Sequence, residues 1–197
     1  MIVKICGITN RDDALAAVEC GAAALGFNFY PASPRYIAPE AARLIAESLP
    51  KRIWKAGVFV NEPPERVLAI AAEAALDIVQ LHGECAAPRG IRVWRGVRVA
   101  AEFDPATLDP LGAEAYLLDT PSDSQYGGTG KTFDWRRARG ARAKVVVAGG
   151  LDETNVRRAI EEAQPWGVDA CSRLELAPGL KDHAKMARFL KAALEMK

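Results

Sequence analysis

Short runs of apolar, mostly β-branched residues recur along the chain, with helix-patterned segments between most of them. The strand candidates are 2–6, 24–29, 53–60, 77–81, 91–97, 115–119, 144–148 and 167–171. Each mixes apolar residues with an occasional polar one, as strands covered on both faces do. Asn10 ahead of Asp12 and Asp13, Pro39 with Glu40, and Pro63, Pro64 and Glu65 mark three helix starts. Carboxylates suit the positive end of the helix dipole there, and proline lacks only an N–H that the first turn leaves unused. Asp152 and Glu153 are read as opening a helix that carries Val156 and Ile160 on one face. Met186, Phe189, Leu190 and Leu194 mark the last helix. The stretch 83–90 leaves little room for a helix after the fourth strand. About eight strand units in series is the number that closes a parallel barrel, so the fold is expected to be α/β, a single (β/α)₈ TIM barrel over 1–197. An open doubly wound sheet would show similar alternation, but Gly7 is followed by no dinucleotide fingerprint.

Composition narrows the functional classes. With 197 residues, one well-buried domain is expected, and a formal charge of +1 provides no basic surplus for nucleic acid. The amino terminus has no signal-peptide pattern and no apolar run reaches membrane-spanning length, so a cytoplasmic protein with no membrane partner is expected. Cys6, Cys20, Cys85 and Cys171 lie far apart in sequence, form no C-x-x-C pair, and have only His82 and His183 as potential co-ligands. Neither a metal site nor a disulfide framework is expected.

In such a barrel the working face lies at the carboxyl ends of the strands, and several strands here end in a polar or reactive residue. Cys6 closes the first, where the dipole of the helix beginning near Asn10 and nearby cations would lower a thiol pKa and let a thiolate accept a proton. Cys20, Cys85 and Cys171 read as structural, although Cys171 lies close to the active face. Gln80 and His82 close the fourth strand. Asp119 follows the apolar run Tyr116-Leu117-Leu118, so desolvation would raise its pKa and make it a proton donor. Gly127-Gly128-Thr129-Gly130-Lys131 is not a P-loop, because Gln125 stands where that motif needs glycine; it reads as a mobile loop beside Asp119 that covers substrate. Gly149 and Gly150 follow the seventh strand and Ser172 the eighth, the pair of loops that often holds a phosphate in barrels. Arg35 offers a planar fork to a carboxylate. Strand alternation puts Lys4 and Asp169 on the inner face of neighbouring first and eighth strands, which predicts an interior ion pair.

Nine segments, in order, carry a resemblance to a known family: Lys4-Ile5-Cys6-Gly7-Ile8-Thr9, Gly26-Phe27, Ser33-Pro34-Arg35-Tyr36, Gly57-Val58-Phe59-Val60-Asn61, Val79-Gln80-Leu81-His82-Gly83, Leu117-Leu118-Asp119-Thr120, Gly127-Gly128-Thr129-Gly130, Ala148-Gly149-Gly150-Leu151 and Pro178-Gly179-Leu180-Lys181-Asp182. The chain resembles phosphoribosylanthranilate isomerase of tryptophan biosynthesis over nearly its whole length. The resemblance implies a one-barrel, cofactor-free enzyme, monomer or homodimer, that performs an Amadori rearrangement on a phosphorylated small molecule. It implies Asp119 as the acid that opens the furanose and Cys6 as the base at C2′. Arg35 would hold the anthranilate carboxylate, and Gly149, Gly150 and Ser172 the phosphate, with Gln80, His82, Gly128 and Arg173 completing the substrate site. Arg173 is a departure: the family reads Ser-Gly-Val-Glu where this chain has Ser172-Arg173-Leu174-Glu175. It loses glycine's access to positive φ and sets a cation near the expected phosphate. Rival readings are a ribulose-phosphate epimerase, a histidine-pathway isomerase, or a non-catalytic barrel that binds a phosphorylated ligand or a partner protein.

Overall fold

The computed structural model describes residues 1–120 and 132–195. Eight parallel strands close into a barrel in chain order: β1 (Ile2–Ile5), β2 (Ala24–Asn28), β3 (Trp54–Val60), β4 (Ile78–His82), β5 (Arg92–Arg98), β6 (Ala115–Asp119), β7 (Val145–Val147) and β8 (Gly167–Ala170). The observed bounds differ from the expected ones by no more than two residues at either end. Closure comes from β1 pairing with β8 in the register Lys4 against Asp169 and Ile5 against Ala170. A short antiparallel hairpin, β9 (Glu175–Ala177) and β10 (Leu180–Lys181), follows β8.

The helices are α1 (Arg11–Glu19), α2 (Pro39–Glu47), α3 (Pro64–Glu73), α4 (Val156–Ala163) and α5 (His183–Leu194). Asn10 caps α1 by accepting the Asp13 N–H at 2.8 Å, and Pro39 and Pro64 stand in the first turns of α2 and α3, as the sequence predicts. Among the described residues no α-helix follows β4, β5 or β6; 3₁₀ turns at Pro105–Thr107 and Trp135–Ala138 stand after β5 and β6. The helix expected from Asp152 begins instead at Val156. The Asp152 carboxylate accepts the Thr154 N–H at 2.9 Å and the Thr154 hydroxyl at 2.6 Å, and this local turn competes with helix at the start of the segment.

Alternation along each strand separates two cores. Outward-facing residues such as Val3, Ile5, Leu25, Phe27 and Val168 pack beneath the helices, where Met186, Phe189 and Leu190 of α5 are fully buried. Burial of each such side chain contributes about 1.5–3 kcal/mol. Inward-facing Ala56, Ile78, Trp94, Ala115, Leu117, Val146 and Ala148 fill the barrel. At the amino end of the strands three indoles form its floor. Trp54 and Trp166 stack with centroids 6.2 Å apart, and Trp94 meets Trp166 edge-on at 5.8 Å. The guanidinium of Arg92 lies 4.0 Å from the Trp54 ring and the Lys144 ammonium 4.8 Å from Trp166. No helix among the described residues is long and apolar enough to cross a membrane.

Candidate active site

A cavity of about 360 Å³ opens at the carboxyl end of the strands, where the sequence places the chemistry. Its lining includes Cys6, Arg35, Gln80, His82, Asp119, Gly149, Gly150, Ser172 and Arg173, which are the expected site residues apart from Gly128. Gly128 and its loop lie outside the described residues.

The interior beneath this cavity is charged. Lys4 Nζ lies 2.8 Å from Asp169 Oδ1, and the lysine is fully buried, so the predicted ion pair is present. Burial opposes the Lys4 charge, but Asp169 and the Cys6 sulfur outweigh it and hold the lysine above its ordinary range.

Cys6 continues β1, its N–H donating to the Ala170 carbonyl at 2.9 Å, and its partly buried sulfur reaches the cavity. Its pKa falls well below that of an ordinary thiol. The neighbouring Cys171 thiol is the main cause; burial opposes the shift, and the ammonium groups of Lys4 and Lys181 reinforce it. The nearby cations expected to lower this thiol are therefore Lys4 and Lys181. Room for the sulfur comes from Gly26 on β2, where a Cβ would stand 2.7 Å from Cys6 Sγ and 3.0 Å from Lys4 Nζ.

Asp119 closes β6 and shifts the other way. Burial raises its pKa, and the Thr120 N–H, which donates to Oδ1 at 2.7 Å, only partly offsets this. Gly149 leaves space for it: φ there is +82°, and a Cβ would stand 2.5 Å from Asp119 Oδ1. Gly149 and Gly150 both take positive φ, which turns the chain between β7 and α4 without side chains over the cavity.

On β4, Gln80 and His82 point inward from alternate positions and touch, Gln80 Nε2 to His82 Nε2 at 2.8 Å. Burial, with Lys4 and Arg98 adding to it, lowers His82 to about 4, so the ring is neutral at physiological pH. With the amide donating, Gln80 Oε1 is a buried acceptor without a hydrogen-bond partner, set in the cavity lining.

Arg35 presents its fork to a carboxylate as expected, but the carboxylate is the protein's own. Its Nε lies 2.9 Å from Glu175 Oε1 and its Nη2 2.8 Å from Glu175 Oε2. Glu175 also holds the buried Lys181 ammonium at 2.9 Å, and Lys181 Nζ stands 3.8 Å from Cys171 Sγ. Cys171, Glu175 and Lys181 are therefore part of the site although pattern reading left them out. The signal available for Lys181 was its place in Pro178-Gly179-Leu180-Lys181-Asp182, and for Glu175 its place after Ser172. Arg173 avoids the strain of its missing glycine, since it is absent from the positive-φ residues and lies in a 3₁₀ turn over Ser172–Leu174. Its guanidinium pairs with Asp152 Oδ2 at 2.8 Å.

A closed parallel barrel with a thiol and a carboxyl group of oppositely shifted pKa at the carboxyl ends of its strands places the chain among the (β/α)₈-barrel proteins with a polar site at that end. Comparison with known proteins narrows the class. The sequence profile described as N-(5'phosphoribosyl)anthranilate (PRA) isomerase matches residues 3–192. A relative from Solibacter usitatus named N-(5'-phosphoribosyl)anthranilate isomerase is 53% identical over 196 residues, covering 98% of this chain and 97% of the relative. The crystal structure of phosphoribosyl anthranilate isomerase from Thermus thermophilus superposes with a TM-score of 0.90 at 36% identity over 100% of both chains. A second crystal structure, of the isomerase in complex with reduced 1-(o-carboxyphenylamino)-1-deoxyribulose 5-phosphate, gives 0.82 at 40% identity, again over 100% of both chains. The chain belongs to the N-(5'-phosphoribosyl)anthranilate isomerase family.

Proposed function

We propose that this barrel converts N-(5'-phosphoribosyl)anthranilate to 1-(carboxyphenylamino)-1-deoxyribulose 5-phosphate in tryptophan biosynthesis, with Asp119 as general acid and Cys6 as general base. The observation that carries the assignment of the two residues is their opposite perturbation in one cavity: burial pushes the pKa of a carboxyl group up, while a neighbouring thiol and two ammonium groups push that of a thiol down. Asp119 protonates the ribose ring oxygen and the furanose opens to a Schiff base. The Cys6 thiolate removes the C2′ proton, and the resulting enolamine tautomerises to the ketone. Each step moves protons within one substrate, so the scheme calls for no cofactor and no metal.

The binding roles follow from the lining. The twin positive-φ glycines 149 and 150, with Ser172, form the phosphate seat, and the Arg173 cation stands at its edge. The unpartnered Gln80 Oε1 accepts from a ribose hydroxyl, and neutral His82 keeps that amide oriented. Arg35 receives the anthranilate carboxylate by exchanging it for Glu175, whose fork contact has the required geometry. The enzyme works as a monomer or a homodimer. A multiply charged phosphorylated substrate does not cross a bilayer unaided, which supports a cytoplasmic location.

The test is loss of phosphoribosylanthranilate fluorescence on addition of purified protein, repeated with Cys6→Ser and Asp119→Asn. Each variant is expected to lose about 10²- to 10⁴-fold in kcat while its circular dichroism matches the parent's. Near-normal turnover in one variant removes that residue from its role, and no turnover by the parent rejects the reaction.

A further inference from the structure

The Cys6 sulfur has a neighbour that the scheme above leaves unused. The β1–β8 register ends with Ile5 opposite Ala170, and the bond from the Cys6 N–H to the Ala170 carbonyl carries the ladder one step on. The next residues of the two strands, Cys6 and Cys171, therefore stand side by side, and both line the cavity. Behind Cys171 lies Lys181, its side chain fully buried, with Nζ 3.8 Å from Cys171 Sγ and 3.4 Å from the Cys171 carbonyl. The Cys171 S–H also reaches Glu175 Oε1 at 3.8 Å, a long bond that it gives up when it turns to the neighbouring sulfur, and this carboxylate opposes a negative charge on Cys171.

We propose that Cys171 is a positioning residue for the isomerisation, its S–H donating to the Cys6 thiolate so that the base is held ionised and aimed into the cavity. The inference rests on the reading of Cys6 as the base. The charges around the pair favour this arrangement over its reverse. Cys6 has the Lys4 ammonium on its own strand, with Asp169 below it taken up by that lysine. Cys171 has the Lys181 ammonium at 3.8 Å, which favours a charge there, set against the Glu175 carboxylate at the same distance, which opposes it and is itself shared with Arg35. From β6 the carboxyl of Asp119 faces Cys6, raised by burial, and from β4 His82 is neutral. The proton between two like sulfurs therefore rests on Cys171. The two thiols shift accordingly, Cys6 well below and Cys171 well above the ordinary thiol value, with their mutual hydrogen bond the main cause in each case.

The test measures Cys6 ionisation directly, through the pH dependence of its alkylation by iodoacetamide, localised by peptide mass spectrometry. The parent, Cys171→Ser and Cys171→Ala are compared, alongside kcat/KM profiles for the same proteins. Serine retains a donor, so its midpoint is expected within about half a pH unit of the parent's. Alanine removes the donor, and the midpoint is expected to rise by at least about one unit, a ten-fold loss of thiolate below it, with the acidic limb of kcat/KM moving in step. Should the alanine variant fail to fold, the isosteric pair Cys171→Thr and Cys171→Val makes the same comparison of donor with no donor. Coincident midpoints in donor and non-donor variants overturn the proposal, as does an unmoved kcat/KM limb. Cys6→Ser turnover reports separately on the base itself: near-normal activity there rejects Cys6 as base, while the alkylation midpoints still report the Cys171 bond.

Discussion

His82 carries a pH dependence that can be read without substrate. Its folded-state pKa of about 4 lies below the unfolded histidine value of roughly 6.5. Between these values the unfolded chain takes up a proton that the folded barrel refuses, so stability falls as pH drops through the window. The loss at pH 5 relative to pH 7 is expected to be about 2 kcal/mol. Urea denaturation of the parent and His82→Asn at both pH values checks this, because the variant lacks that part of the acid sensitivity. Equal losses in the two proteins would remove His82 as the cause. Arg173 bears on the proposed phosphate seat more weakly. Its guanidinium is half exposed and already paired with Asp152, so Arg173→Gly is expected to raise KM for the phosphorylated substrate by less than about ten-fold, with kcat little changed. Steady-state kinetics decide it, and abolished binding would make the arginine essential. Cys6 and Asp119 were legible in the chain because each ends an apolar strand with a reactive group. Cys171 was legible only as a thiol close to the active face, and Glu175 and Lys181 were not, because their importance comes from which groups the fold stacks behind Cys6. No local pattern encodes that proximity.

At the scale of elements, the seam between β1 and β8 closes the barrel and also carries its interior charge pair. The alternation of two short strands and the assumption of closure predicted that pair, since both side chains had to face inward at matching heights. Burial already raises Asp169 to about 7, so without Lys4 the carboxyl group must take up a proton or stay charged without a partner: Lys4→Met is expected to cost about 3–5 kcal/mol in denaturant unfolding at pH 9 and less at pH 6. Replacing both partners, as in Lys4→Met with Asp169→Leu, is expected to recover most of that loss. A loss below about 1 kcal/mol for the single variant would show that water reaches Asp169. Strands were easier to locate than helices for a related reason. An apolar run covered on both faces has little alternative to a buried strand, whereas a helix start competes with side-chain turns. Asp152 and Thr154 form such a turn and delay α4 to Val156. The crowded stretch after β4 was correctly read as too short for a helix, but the 3₁₀ turns after β5 and β6 carried no distinct signal.

Across the whole molecule, the barrel divides its interior between two tasks along one axis. Charged and reactive groups occupy the upper levels, and bulky rings plug the lower end. The indoles of Trp54, Trp94 and Trp166 come from three different strands or their entries and lie within about 6 Å of one another, so they are neighbours only while the cylinder is shut. Their packing thus gives near-ultraviolet dichroism a contribution that disappears when the ring opens. A variant of Cys6 or Asp119 that keeps this contribution, measured before substrate is added, has kept its cylinder shut.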